Sequence, residues 1–506
     1  MKTLVRTIPA TDPEAERAWE PRNDVVVEEA AGPDRFIAAS GPFTQYERRL
    51  RRTHDGIEET IDATVAPLVW GPFPLLYRGA LRSRPAPGSS PWWFPPETPD
   101  AHGATSLGGL TLLALILAYL GSLLTQTITF TAADFDVTRQ QQTTTLAGVR
   151  IGVLAALWLA ALADRKGRRT VLVWITAVAI VLTVLCGFAP NLVVLGVLQA
   201  GVRGLVTSGT ILLTIVAAEE MPSGSRAFAI SLISVTGALG VGALLFALPL
   251  ADQSDGGWRA IYVLALLFLP LLRRIARELP ESRRFVATHV EAPMAGHGRR
   301  FWLLAISALL LALFTAPATQ LMNDFLRDER GFTGARIALF TIVTNIPGGI
   351  GIVVGGRLAD TRGRRVVGAI GTAGGVLLTV AMVLARGWPM WVLSAFGAVI
   401  GAMVVPAIGV YGPELFPTSL RGKANGIISI LGVTGSVIGL LVAGQLLDRW
   451  DHLGPALAVL AIGPLIMSLL VLFAYPETAH KELEDLNPED RPAAGSPPAA
   501  EEPPVH

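Results

Sequence analysis

Long apolar segments separated by short polar ones occupy most of the chain after residue 106. Each is about 20 residues long, the length that an α-helix needs to cross the ~30 Å hydrocarbon core of a bilayer. The pattern predicts an all-α membrane protein with twelve transmembrane helices. In chain order these are spans 1 to 12: 107–131, 141–162, 170–189, 192–217, 227–250, 259–272, 301–321, 337–358, 366–385, 389–412, 423–447 and 454–474.

A short charged sequence occurs twice between these spans. Residues 163–169 read Ala-Asp-Arg-Lys-Gly-Arg-Arg, and residues 359–365 read Ala-Asp-Thr-Arg-Gly-Arg-Arg. Other landmarks recur in the same order and at nearly the same spacing: Glu219, Pro222 and Arg226 correspond to Glu414, Pro417 and Arg421, and Pro280-Glu281-Ser282 corresponds to Pro476-Glu477-Thr478. The spans therefore form two parallel six-helix repeats, an arrangement typical of transporters that bind substrate between the halves near mid-membrane.

At these residues the chain resembles the major facilitator superfamily, in particular its sugar-porter and metabolite-carrier branch. That family carries a Gly-x-x-x-Asp-Arg-x-Gly-Arg-Arg loop after helices 2 and 8. Gly356 matches the leading glycine in the second copy, whereas Ala160 replaces it in the first. Residues 414–422 are similar to an element before helix 11, and residues 280–285 to one after helix 6. The match extends over residues 107–486 and implies the family's fold and solute transport.

The composition excludes several other classes of protein. Hydrophobic residues make up 51% of the chain and charged residues 16%, with a mean hydropathy of +0.50; soluble proteins have about 25% charged residues. The net charge of +1 gives no indication of nucleic-acid binding, and the single Cys186 excludes an intramolecular disulfide. The sequence has no nucleotide-binding loop and no His, Cys or acidic cluster within the spans, so it predicts no ATP-driven pump, enzyme, cofactor or metal site.

Positive charge predicts the orientation in the membrane. Arginine and lysine are concentrated in the loops after the even-numbered spans, and few lie in the loops on the other side. Since cytoplasmic loops carry the excess of these residues, both termini are predicted to be cytoplasmic. We expect a multi-pass protein of the plasma (inner) membrane, a monomer, whose partners are the lipid bilayer and a small-molecule solute.

The duplicated charges predict a cytoplasmic gate. A carboxylate is stabilised beside a helix N-terminus, and a ring of ion pairs between helix ends would have to break when the cytoplasmic side opens. The alternative is that these charges only set the topology. The gate candidates are Asp164, Arg165, Gly167, Arg168, Arg169, Glu219, Arg226, Asp360, Gly363, Arg364, Arg365, Glu414 and Arg421.

Arg150 and Arg203 lie well inside the predicted spans, away from the span ends, and the spans contain no aspartate, glutamate or histidine. A cation at this depth is costly unless it faces water or a partner, so Arg150 and Arg203 are candidates for substrate binding. The alternative is structural, with Arg150 paired to Asp134 or Asp136 and Arg203 to backbone carbonyls. Arginines suit a carboxylate or phosphate, whereas amides suit a sugar or polyol. The substrate-binding candidates are Gln126, Arg150, Arg203, Gln320, Asn323 and Asn345.

Residues 1–106 are predicted to form a cytoplasmic extension that ends in a stiff proline-rich linker, 85–106. Within it, Tyr46–Asp62 is compatible with a charged helix. The apolar stretch Val65–Ala80 contains prolines that forbid one continuous spanning helix. The sequence is equally compatible with a position on the inner membrane face and with a poorly ordered tail. We expect the helical bundle to fold without residues 1–100.

The predicted domains are therefore the extension 1–106, a first six-helix bundle 107–286, a central cytoplasmic loop 287–300, a second six-helix bundle 301–486 and a disordered tail 487–506. The predicted function is secondary active or facilitative transport of a small organic solute by alternating access. The two arginines favour an anionic metabolite. Sugar or polyol uptake, drug efflux and a transporter-like membrane sensor are the alternatives.

Overall fold

The structure, a computed structural model, describes residues 2–83, 91–137, 141, 145, 148–253, 256–283 and 294–490. It contains a small sheet domain, residues 2–83, and a helical bundle that begins at Ala101. Residues 91–100, which we call the strap, connect the two and carry no regular secondary structure. The mostly helical character of the chain follows the prediction, but the sheet domain does not.

A five-stranded antiparallel sheet precedes the helices, so the expectation of an all-α chain is wrong in this region. The order of the strands is β1-β5-β4-β3-β2. Each neighbouring pair is antiparallel. The strands are β1 Lys2–Pro9, β2 Val27–Ala30, β3 Arg35–Ser40, β4 Phe43–Thr53 and β5 Gly56–Val65. A short helix, α1 Glu14–Arg17, follows β1.

The stretch Tyr46–Asp62 forms most of β4 and β5 and not a charged helix. Tyr46, Arg48 and Leu50 are buried, and the residues between them are more exposed, which is the two-residue period of a strand. Arg48 lies opposite Ile61 in the sheet. The prediction of a helix was wrong because it assumed that all the charged residues of this stretch are exposed, whereas Arg48 is buried.

Buried charges inside the sheet domain are matched by partners. Arg48 donates to Glu28 at 2.7 Å and to Glu59 at 3.3 Å, and all three side chains are fully buried. The hydroxyl of Tyr46 donates to the same Glu28 at 2.5 Å. Burial, and then the charge of Glu28, raises the pKa of Tyr46 well above its ordinary value. A buried charge is tolerated when it is paired in this way, so the domain has a polar as well as an apolar core.

The apolar stretch after β5 packs onto the protein itself. It contains α2 Phe73–Arg82, whose Tyr77, Ala80 and Leu81 are buried. These side chains join a cluster with Phe43 and Ile61 of the sheet. Ahead of the helix, the indole of Trp70 donates to Thr111 of the bundle at 2.8 Å. The residues expected either at headgroup depth or in a poorly ordered tail are therefore part of a folded domain.

The first half of the bundle contains seven α-helices in the described residues: α3 Ala101–Asp134, α4 Ala155–Lys166, α5 Arg168–Cys186, α6 Leu192–Glu220, α7 Arg226–Ala247, α8 Trp258–Val263 and α9 Phe268–Glu278. Helix α3 begins before residue 107 because Asp100 caps it by accepting from the backbone N–H of Gly103 at 2.8 Å. Short 3₁₀ segments flank these helices at Arg150–Leu154, Ser223–Ser225, Leu248–Asp252 and Leu264–Leu267.

The second half repeats the series with more interruptions. Its helices are α10 Gly298–Gln320, α11 Met322–Asp324, α12 Gly334–Arg362, α13 Arg364–Leu384, α14 Trp388–Ala402, α15 Val404–Gly409, α16 Tyr411–Glu414, α17 Arg421–Trp450, α18 Leu453–Leu460, α19 Ile462–Phe473 and α20 Leu483–Leu486. One π-helical turn follows α11 at Phe325–Glu329, and 3₁₀ turns lie at Met294–His297 and Pro488–Asp490.

Ten helical segments in the described residues are long and apolar enough to cross a membrane. Spans 2 and 6 of the prediction are absent from these ten. In their place the structure has broken helices: Arg150–Leu154 with α4, and α8 with Leu264–Leu267 and α9. Residues 287–293 of the predicted central loop lie outside the described residues, and residues 294–300 form the 3₁₀ turn Met294–His297 and the start of α10.

The repeat is visible in helix packing. A Cβ atom on Gly240 of α7 would lie 2.1 Å from the carbonyl oxygen of Leu115 in α3, and one on Gly435 of α17 would lie 2.4 Å from that of Leu309 in α10. Each contact allows no side chain, so glycine permits the same close helix pair in both halves.

The end of the bundle is more ordered than predicted. Asn487 is buried and donates to the carbonyl oxygen of Glu414 at 2.7 Å. Asp490 accepts from the backbone N–H of Thr418 at 2.9 Å. The prediction of a disordered tail is therefore wrong for residues 487–490, because these side chains satisfy polar groups of the bundle. Residues 491–506 lie outside the described part.

Candidate functional site

Two glycines connect the helices at one end of the bundle. Gly167 joins α4 to α5 with φ +97°, and Gly363 joins α12 to α13 with φ +101°. L-residues with a side chain rarely adopt these angles, which gives a physical reason for glycine in both charged copies. Arg168 and Arg364 each begin the following helix. We call this region, with residues 219–226, 280–283 and 414–423, the arginine-rich end.

Glu219, at the end of α6, is the centre of one buried cluster. Its carboxylate lies 2.6 Å from the guanidinium of Arg168 and 2.6 Å from that of Arg421, and all three side chains are fully buried. The hydroxyl of Ser282 donates to it at 2.8 Å. Arg421 also contacts Asp490 at 2.9 Å. One carboxylate thus holds an arginine from each half of the bundle.

Glu414, at the end of α16, is the centre of a second buried cluster. It pairs with Arg364 of its own half and, at 3.2 Å, with Arg226 of the first half. Arg364 also lies 3.1 Å from Asp360. Asp360 in turn accepts from the backbone N–H groups of Ala227 and Phe228, at 3.2 and 2.9 Å. This carboxylate therefore sits at the N-terminus of α7, where the helix macrodipole favours negative charge.

The two clusters are related by the internal repeat. Each central glutamate pairs with the arginine that begins a helix in its own half, and with an arginine that begins a helix in the other half. Backbone contacts also cross between the halves, since Arg168 donates to Thr418 and Arg364 to Ser223, at 3.0 and 3.1 Å. Together these contacts form a ring of ion pairs that joins the two halves at the arginine-rich end.

The remaining gate candidates lie around this ring. Arg169 and Arg365 contact their own halves: their backbone N–H groups donate to Glu281 at 2.9 Å and to Glu477 at 3.2 Å. Those two glutamates were absent from the candidates, although their repeated Pro-Glu motif could have identified them. Arg165 is exposed at the end of α4. The side chain of Asp164 lies outside the part that the structure describes.

A cavity of about 610 Å³ lies between the halves and is lined by α3, α6, α10, α17 and the 3₁₀ segment before α4. Arg150 and Arg203 both line it. Its other polar lining groups are Thr125, Gln199 and Gln320, and none of the described lining residues is acidic. Aliphatic side chains make up most of the remaining wall, so the two guanidinium groups are the charged feature of this cavity.

In the described residues, Arg150 does not pair with Asp134 or Asp136, and Arg203 does not bond to backbone carbonyls, as the structural alternative required. Asp134 lies 3.2 Å from Arg259 and accepts from the indole of Trp258 at 3.1 Å. Within the described residues, neither Arg150 nor Arg203 forms an ion pair or a guanidinium hydrogen bond with the protein. Arg150 and Arg203 line the same cavity, so their like charges do not stabilise each other.

The amide candidates are distributed over several places. Gln320 lines the cavity, but Gln126, Asn323 and Asn345 are not among the described residues that do so. Asn323 lines a separate pocket with Asp324 and Arg327. Thr125, the neighbour of Gln126 in α3, lines the cavity in its place. Gln199, which lines the cavity, was not in the candidate set; its amide contacts the sulfur of buried Cys186 at 3.4 Å.

Comparison with known proteins identifies the family. The sequence profile of the Major Facilitator Superfamily matches residues 110–388 and 304–502. The gentisate transporter of Corynebacterium glutamicum is 26% identical over 60% of this chain and 71% of its own length. The gallate transporter of Pseudomonas putida is 27% identical over 65% and 79%.

A solved structure shares the fold. The MFS proton:xylose symporter XylE superimposes with a TM-score of 0.61 at 18% identity, over 77% of this chain and 99% of that chain. Together with the repeated loops and the cavity between two helical halves, these matches confirm the resemblance seen in the sequence. The chain belongs to the major facilitator superfamily.

Proposed function

We propose that this secondary transporter carries a small organic anion, and that Arg150 and Arg203 bind it in the central cavity. The proposal is based on the absence of a carboxylate partner for these arginines in the described residues. Both line a cavity between the halves, and neither has a carboxylate partner in the described residues. Two neighbouring cations in a largely aliphatic wall are stabilised by an anion between them, because opposite charges attract strongly where water is scarce.

The chemistry of the lining fits a carboxylate. Guanidinium groups bind carboxylates through two parallel hydrogen bonds, which gives both affinity and orientation. The amide of Gln320 and the hydroxyl of Thr125 lie in the same wall and suit further oxygen atoms on the solute. Gentisate and gallate, which the names of the two bacterial relatives give as their solutes, are both hydroxylated carboxylates. They are the first solutes to test.

The ring at the arginine-rich end acts, in this proposal, as the cytoplasmic gate. The ion pairs of Glu219 and Glu414 tie the halves together on one side of the cavity. For solute to leave on that side, both cross-half pairs must break and the halves must separate there. Alternating access would then consist of closing and opening this ring. The excess of arginine at this end favours a cytoplasmic location, with both termini on that side.

The broken helical segments at spans 2 and 6 also cross the membrane in this proposal, which gives twelve crossings in two groups of six. Asp164 takes the place of Asp360 in the first half, because the two occupy the same position of the repeat. The protein is proposed to work as a monomer in the plasma membrane.

Binding to the purified full-length protein tests the anion proposal. Gentisate and gallate are titrated by calorimetry against the unchanged protein, Arg203→Gln and the matched control Arg274→Gln, whose exposed side chain pairs with Glu278 outside the cavity. Loss of a hydrogen bond to a charged group costs about 1.5–3 kcal/mol, so Arg203→Gln should weaken binding roughly 10- to 100-fold. Undiminished binding in that variant contradicts the proposal.

Flux in proteoliposomes tests the energy source. The predicted spans offer no central carboxylate or histidine, and arginine does not release protons near neutral pH because its pKa is above ~12. We therefore expect exchange of anions or downhill movement without proton coupling. An imposed pH gradient, with a protonophore as the control, should not drive uphill accumulation. Accumulation that follows the gradient would show that another group carries the proton.

A neutral sugar is the second candidate solute, since the amides and hydroxyl in the cavity suit it. The same titrations with xylose separate the two proposals. Xylose binding that is unaffected by Arg203→Gln, together with no response to gentisate or gallate, would favour the sugar.

A further inference from the structure

We propose that the sheet domain and the strap brace the transporter in the conformation that is closed at the arginine-rich end. The inference rests on the alternating access proposed above, but it does not depend on which solute is carried. It assigns a role to residues 2–83 and 91–100, which the ring and the cavity do not use.

The sheet domain is firmly seated on the first half. A Cβ atom on Gly108 of α3 would lie 2.3 Å from the carbonyl oxygen of Leu68, so the two backbones are in direct contact. Leu68 belongs to the same apolar cluster as the core of the first half. The hydrogen bond from Trp70 to Thr111 adds a polar contact at this junction. Domain and first half should therefore move together.

The strap extends this attachment along the arginine-rich end. The backbone N–H of Glu97 donates to the hydroxyl of Ser225 at 2.8 Å, and that hydroxyl contacts the carbonyl oxygen of Glu97 at 2.8 Å. The carboxylate of Glu97 accepts from the backbone N–H of Gly224 at 2.8 Å. Asp100 lies 2.5 Å from Arg283. All of these partners belong to the first half.

The side chain of Arg357 connects the strap to the second half. Arg357, near the end of α12, donates to the carbonyl oxygen of Phe94 at 2.6 Å and to that of Pro91 at 3.3 Å. The position of Phe94 is fixed by the sheet domain, since its ring is fully buried and lies 6.0 Å from that of Tyr77. The strap thus bridges the two halves at the same end as the ring.

Opening of this end would break the bridge. If the first half moves away from the second, the domain and strap move with it, and the carbonyl oxygen of Phe94 is withdrawn from Arg357. The charge-assisted hydrogen bonds from Arg357 to the carbonyl oxygens of Phe94 and Pro91 are then lost in addition to the cross-half ion pairs. The brace consequently adds to the stability of the closed ring, and its release favours opening.

Spin-label distances in the full-length protein in nanodiscs test this inference. Labels are attached at Lys166→Cys and Arg362→Cys, exposed positions in the first and second halves at this end; native Cys186 is buried. Arg357→Gln should raise the ratio of open to closed molecules about tenfold, which corresponds to about 1.4 kcal/mol. The matched control is Arg299→Gln, an exposed arginine at the same end of the second half, which should leave the ratio unchanged.

A second variant separates the brace from a general loss of stability. Phe94→Ala releases the strap from the sheet domain and should also favour opening. Combined with Arg357→Gln it should add little, because both changes act through the same contact. An unchanged ratio in Arg357→Gln, or additive effects in the double variant, would overturn the inference. The spin-label distances report whether the arginine-rich end is open or closed, and they do not report solute binding at Arg203. Failure of the anion proposal would therefore appear only in the binding titrations.

Discussion

The arginines at the arginine-rich end and those in the central cavity differ in their partners. Arg168, Arg364 and Arg421 are fully buried, and each lies against a carboxylate that is also buried. Arg150 and Arg203 line a cavity and, in the part of the chain that the structure describes, have no carboxylate partner. The charges of the first group are compensated by carboxylates of the protein, and these ion pairs hold the two halves together. The second group is available to a solute.

This difference predicts different costs of substitution. Removing one member of a buried ion pair leaves an uncompensated buried charge, and the effect appears in the conformation and stability of the protein. Removing a cavity arginine leaves no orphaned partner, so the effect should appear in binding. Removing an exposed arginine should affect neither.

The largest effect is expected for Glu414→Gln. Arg226 and Arg364 lose the carboxylate that they share, while both remain buried. The closed conformation should lose about 3–5 kcal/mol, seen as a larger fraction of open molecules in the spin-label measurement and as a lower thermal midpoint. Gentisate affinity of the remaining closed fraction should be unaffected. A closed fraction equal to that of the unchanged protein would mean that the ring does not hold the halves together.

A smaller loss is expected for Asp360→Asn, since Arg364 keeps its contact with Glu414. The two backbone N–H groups at the start of α7 lose a charged acceptor. By the internal repeat, Asp164→Asn should behave in the same way. Solute flux in proteoliposomes should fall sharply in both variants, while membrane insertion stays normal. Unchanged flux in both variants would contradict the proposed gate. A fall in flux in Asp360→Asn alone would show that the two halves are not equivalent.

The third prediction compares the cavity arginines with each other. Asp134 is engaged by Arg259 and Trp258, so the described structure gives no neutralising partner to Arg150. Arg150→Gln should therefore weaken gentisate binding as much as Arg203→Gln does, by roughly 1.5–3 kcal/mol, without lowering the thermal midpoint by a similar amount. Calorimetry and thermal unfolding of both variants, side by side, measure this. A much smaller effect of Arg150→Gln would indicate a partner for it.

The smallest effect is expected for Arg274→Gln. Its side chain is exposed and pairs with Glu278 one helical turn away, at 3.3 Å. Pairs of this kind contribute about 0.3–0.5 kcal/mol. Thermal midpoint, closed fraction and gentisate affinity should all stay within error of the unchanged protein. A larger change would mean that positive charge at this end acts through the overall field and not through specific pairs.

Local sequence was sufficient to identify the charged residues of the ring, but not which of them form ion pairs with each other. Every half carries the same set of charges at the same spacing, which identified Glu219, Arg226, Glu414 and Arg421 as one group. That Glu219 pairs with Arg421, and Glu414 with Arg226, is a property of how the two halves meet. The sequence does not show which distant residues are close in space. Pairing within each half, Glu219 with Arg226 and Glu414 with Arg421, would use the same charges.

The sequence by itself determined the membrane character, the two repeats and the presence of two arginines among apolar residues, because hydrophobic length and charge position are local properties. Tertiary structure decided which polar groups share a cavity, placing Thr125 and Gln199 there and Gln126 and Asn345 elsewhere. It also decided that residues 2–83 form a sheet domain. Arg48 is buried there only because Glu28 and Glu59 come from other strands to pair with it. A charged residue can enter a core when distant parts of the chain supply its partners, and that condition is met only in the folded protein.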